Sequence, residues 1–140
     1  MPTEKTSIYR IVVKSKQPGD PRSQAYLVDA QALGLTKITG LQCNELYFVE
    51  GALSQSDLQR LADEVLSDPV TQTAAWGRLF LTGVETSLRH GCWKLQVALR
   101  PGVTDPVAEQ IERVGQVLGL SGLLRAATGL DFEIEGQDLG

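Results

Sequence analysis

Two stretches of this 140-residue chain open and close alike, DPRSQAYLVDAQALGL (residues 20–35) and DPVAEQIERVGQVLGL (residues 105–120). Each runs 16 residues from Asp-Pro to Leu-Gly-Leu, and they lie 85 positions apart. The same offset pairs Tyr47 and Val49 with Phe132 and Ile134, and Glu50-Gly51 with Glu135-Gly136. Upstream, an offset of 86 aligns Tyr9, Ile11 and Val13 with Leu95, Val97 and Leu99, and Lys14 with Arg100. The extra residue falls in a loop, KSKQPGDP against RPGVTDP, where insertions are tolerated best. Internal repetition constrains a chain strongly, because each copy must form one supersecondary unit.

Local patterns describe that unit. Trp93, Leu95, Val97 and Leu99 alternate with Lys94, Gln96 and Ala98, the period of a half-buried strand. Tyr9, Ile11 and Val13 predict the equivalent strand in the first copy. Asp20 and Asp105 each precede a proline; aspartate caps a helix and proline suits its first position. Ala25, Val28 and Ala32, and likewise Ile111, Val114 and Leu118, fall on one helical face. Gly34 and Gly119 stand where a left-handed glycine ends a helix. Residues 36–49 are apolar except around Cys43-Asn44, which reads as two strands or one bent strand. Ser54 and Asp57 have capping-box spacing. Leu58, Leu61, Ala62, Val65 and Leu66 form the apolar stripe of a second helix, which Asp68-Pro69 stops. Residues 70–76 read as a closing strand.

The predicted fold is α+β, with duplicated ferredoxin-like units ordered strand-helix-strand-strand-helix-strand. Unit one spans residues 7–76, a connector residues 77–92, and unit two residues 93–140. Unit two stops before its second helix, which would leave an apolar face uncovered. The expectation is that the natural chain continues or that a partner supplies the cover, with a longer chain favoured.

Composition excludes several classes. Hydrophobic residues make up 42% and charged residues 21%, as in ordinary globular domains. A net charge of −4, with no basic run, argues against nucleic-acid binding. The opening residues lack an apolar signal segment, and no apolar stretch suits a membrane span. Cys43 and Cys92 show no disulfide spacing, so the expected compartment is cytoplasmic.

VALRPGVTDPVAEQIERVGQVLGL resembles the opening strand, turn and helix of a PurS subunit. ADEVLSDPVTQ (residues 62–72) is similar to the end of a PurS second helix. LYFVEGALSQSDLQRLADEVLSDPVTQ resembles the matching stretch in large synthetases that carry two fused PurS-like units at the N-terminus. The family is phosphoribosylformylglycinamidine synthase (formylglycinamide ribonucleotide amidotransferase), a purine-biosynthesis ligase. The resemblance implies a bridging domain between a synthetase part, which binds ATP and magnesium, and a glutaminase part that releases ammonia from glutamine. It implies no cofactor in this chain. It makes the two catalytic parts its partners, with self-association a further expectation. Arg100, at a strand end beside Pro101-Gly102, is the candidate partner contact. Lys14 or Lys16 would take its place in the first copy, which lacks the RPGVTDP form.

No catalytic constellation is legible. His90 and Cys92 are close in sequence, but a nucleophile–base pair is made by the fold and not by adjacency. The chain has no GxxxxGK[ST] motif and no metal-ligand spacing. Asp63-Glu64 reads as a solvated helix face, and Trp76 and Trp93 as packing residues. The alternative function is a ferredoxin-like regulatory module that binds a small molecule.

Overall fold

The computed structural model describes residues 6–17, 20–78, 92–98 and 104–136. Five strands make one antiparallel sheet in the order β3-β1-β2-β5-β4. They are β1 (Ser7–Ser15), β2 (Ile38–Gly51), β3 (Gln72–Arg78), β4 (Cys92–Ala98) and β5 (Leu123–Gly136). The helices are α1 (Pro21–Ala32), α2 (Gln55–Arg60) and α3 (Pro106–Val117). Past Arg60, α2 continues as a π-helix, Leu61–Leu66.

Helix ends follow the sequence signals. Asp20 accepts from the Ser23 amide and Asp105 from the Ala108 amide, each with proline next in the chain. Gly34 (φ 95°) and Gly119 (φ 80°) hold the left-handed conformation. Beside them the amides of Leu35 and Leu120 reach back to the Ala30 and Gly115 carbonyls, closing two Schellman motifs. Ser54 and Asp57 form the reciprocal capping box.

All three helices lie on one face of the sheet. Leu58, Leu61, Ala62 and Leu66 pack with Ile11, Val13, Tyr47 and Val49, and α3 adds Ile111 to the same core. Tyr26 of α1 meets Phe132 of β5 edge-on, with ring centroids 5.1 Å apart.

The centre of the sheet is the β2–β5 pairing. Glu45 stands opposite Leu130, the residue 85 positions further on. Outward from that point the pairs mirror one another. Asn44–Asp131 answers Leu46–Gly129, Leu41–Ile134 answers Val49–Ala126, and Ile38–Gly136 answers Gly51–Leu123. A register shift precedes the last pair at both ends. Helices α1 and α3 are each 12 residues long, and β2 and β5 each 14.

Four expectations change. Residues 36–49 do not hold two strands: β2 runs unbroken through Cys43 and Asn44. Both are buried, and the Asn44 side chain finds an acceptor across the sheet, so no turn is needed. The first half is therefore strand-helix-strand-helix-strand, not the four-stranded ferredoxin-like order. The expected apolar face of α1 is not covered, since Ala25, Val28 and Ala32 are exposed and only Ser23 is buried. The sheet register also moves the match between β1 and β4. Trp93, Leu95 and Val97 face Ile134, Phe132 and Leu130, as Tyr9, Ile11 and Val13 face Val49, Tyr47 and Glu45. The offset there is 84 and not 86, a slip of two residues that keeps the same face. Finally, Trp93 is 44% exposed and does not pack in the core.

Candidate functional site

The opposite face of the sheet carries no helix among the described residues, yet two polar side chains are sealed at its centre. Asp131 (0% exposed) and Asn44 (1%) stand opposite each other on β5 and β2. Gln96 of β4 extends the same row. Asn44 Nδ2 donates to Asp131 Oδ2 at 2.9 Å, and Gln96 Nε2 to Asp131 Oδ1 at 2.8 Å. Lys94 Nζ lies 3.9 Å from Oδ1. Gln42 donates to Asn44 Oδ1, and Arg10 Nη1 to Gln96 Oε1 at 3.0 Å. A buried carboxylate is tolerable when paired and hydrogen-bonded, as this one is.

Lys14 lies at the rim of this cluster and forms an ion pair with Glu133, both about one-third exposed. Lys16 Nζ donates to the Pro69 carbonyl. Arg100 lies outside the described residues, as do His90 and the side chain of Cys92. Asp63 and Glu64 are exposed, where they meet Gln59 and Arg60. Trp76 is half-buried against the core and donates to Gln59.

On the helical face, β2 and β5 meet the two helix N-termini in equivalent ways. Beyond the last β1–β2 pair, Val13–Glu45, the Cys43 amide donates to Ser23 Oγ at 2.8 Å, and Ser23 Oγ donates to Asp20. The Thr128 amide, 85 residues on, donates directly to Asp105 Oδ2 at 2.9 Å. Burial pushes the Asp20 carboxyl up, but hydrogen bonds from Ser23 and the charge of Arg22 outweigh it and hold the group below its ordinary value. Burial raises the Cys43 thiol, leaving it protonated and shielded, the opposite of a nucleophile. Burial, then the hydrogen bond to Glu45, raises the Tyr47 phenol.

A cleft lies between Ser54 and Asp57 of the α2 cap and the turn at Gly119 and Gly122. Its one carboxylate, Asp57, is engaged by the capping box. Among the described residues, no three of His, Cys, Asp or Glu could hold a metal ion, and no helix is long and apolar enough to cross a membrane. No family model matches the chain, and no curated protein matches it.

The cluster can lock three strands in register and present charge around its rim. It brings no nucleophile to a base. Sequence reasoning missed Asp131 and Asn44. The one signal in the sequence was a polar residue set in each strand, Asn44 in residues 38–51 and Asp131 in residues 123–136; their pairing comes from the sheet register alone.

Proposed function

We propose that this chain is a scaffolding domain of the PurS-like kind. In this reading it holds two related units and bridges the synthetase and glutaminase parts of a formylglycinamide ribonucleotide amidotransferase. The observation that carries the reading is the mirrored β2–β5 register about Glu45 and Leu130. Isologous contacts have this form, in which each pair is answered by its equivalent. The two capped helices, two Schellman glycines and two long strands at the 85-residue offset support it. So does a polar cluster whose hydrogen bonds are satisfied internally, which suits a rigid support better than a reaction centre.

ATP and magnesium belong, in this reading, to the synthetase part. Lys14, Arg100 and the charged rim of the face opposite the helices are the partner contacts. The test is calorimetric titration of the 140-residue protein against matched synthetase and glutaminase parts. Saturable binding to at least one part is expected, and heats indistinguishable from dilution with both would overturn the reading.

A further inference from the structure

Equivalent positions in the two halves have opposite environments. In the first half, Ile11 and Val13 of β1 are 0% and 2% exposed beneath the second helix, and β1 is bordered by β3. Their counterparts by sheet register, Leu95 and Val97, are 52% and 49% exposed, and among the described residues β4 pairs with β5 alone. Leu120, at the end of α3, is 2% exposed beside the same second helix, whereas Leu35, 85 residues earlier, is 53% exposed. Leu118 packs on the core, while Leu33 at the equivalent place is exposed.

One contrast runs through all of these differences: among the described residues, the second half shows no counterpart of α2 and β3. In the covered half, α2 with its π-helical continuation lies over β1 and beside α3, and β3 then pairs antiparallel with β1. Among the described residues, the half around β4 and α1 has the receiving positions and no such cover.

We propose that β4 and α1 form a docking surface for a partner polypeptide segment that presents an amphipathic helix followed by a strand, the chemistry of Ser54–Arg78. The strand pairs antiparallel with the outer edge of β4. The helix lays its leucine-rich stripe over Trp93, Leu95 and Val97, flanked by Tyr26, Leu33 and Leu35. Main-chain pairing supplies affinity and the apolar stripe supplies register. A second intact copy of this chain is not the occupant, because its own helix and strand are engaged on its own β1. An uncovered strand edge with an apolar face is a template for association, so a dedicated partner also removes an aggregation hazard.

The experiment titrates a synthetic peptide of residues 52–78 into the 140-residue protein. Readouts are amide hydrogen exchange and solution mass. One-to-one binding with Kd below about 100 μM is expected. Amides of β4 should then exchange at least about tenfold more slowly. A Leu95→Asp protein should lose this effect, while its exposed site leaves the fold intact. Three results would overturn the proposal: no protection of β4 at about 1 mM peptide, a range in which only weak contacts fail to saturate; equal protection in the Leu95→Asp protein; or a dimer with β4 already protected before peptide is added. Binding to the purine-enzyme parts is read in its own assay, so the two ideas fail separately.

Discussion

Asp131 holds three strands through one carboxylate. Its acceptors are filled by Asn44 from β2 and Gln96 from β4, so removing it strands the buried Asn44 amide and takes a partner from the part-buried Gln96. Asp131→Ala should therefore lower unfolding free energy by about 3 kcal/mol in urea titration. Lys94→Met should cost less than about 1 kcal/mol, because the ammonium is part-exposed and 3.9 Å away. Asp20 gives a pH signature. Its folded value lies below the ordinary 3.8, so its contribution is full above the unfolded value and is lost as pH falls through the folded one. Asp20→Ala should cost about 1 kcal/mol at pH 7. That gap should narrow in acid melts below about pH 4. At this scale the sequence was a partial guide. Asp20, Asp105, Gly34 and Gly119 act through local geometry and were readable. Asp131 and Asn44 act across strands 87 residues apart in sequence, and no local pattern reports such a partner.

The second helix owes its position to Leu58, Leu61, Ala62 and Leu66, the stripe read directly from helical spacing. The π-helical form of its second half was not readable; Ser67 Oγ donates to the Ala62 carbonyl where that half ends. Leu61→Ala should cost about 2–5 kcal/mol by chemical denaturation. Leu33→Ser, at an exposed position, should change stability by less than about 0.5 kcal/mol. A Cβ at Gly51 would stand 2.0 Å from the Gly122 carbonyl oxygen, where backbone cannot yield cheaply. Gly51→Ala should therefore destabilise by about 1–3 kcal/mol. The sequence left β2 open between two strands and one bent strand for a related reason. Cys43-Asn44 resembles a break in an apolar run, but the side-chain partner that makes a buried asparagine acceptable is contributed by β5.

Across the whole molecule, the matching helix caps and turns of the two halves were legible because local geometry fixes such residues. How the halves join was not, since pairing of β2 with β5 is a long-range choice. The join explains why α1, though capped as well as α3, buries only Ser23. Its apolar flank faces the half in which the described residues include no second helix. The same asymmetry separates core positions of β1 from exposed ones of β4. The proposed scaffolding role depends on one continuous sheet, and the β2–β5 register tests that most directly. Cross-strand nuclear Overhauser contacts in the 140-residue protein should link Asn44 with Asp131 and Leu46 with Gly129, two answering pairs about the Glu45–Leu130 centre. A β2 strand that shows contacts to β1 and none to β5 would contradict the join and the bridging function built on it.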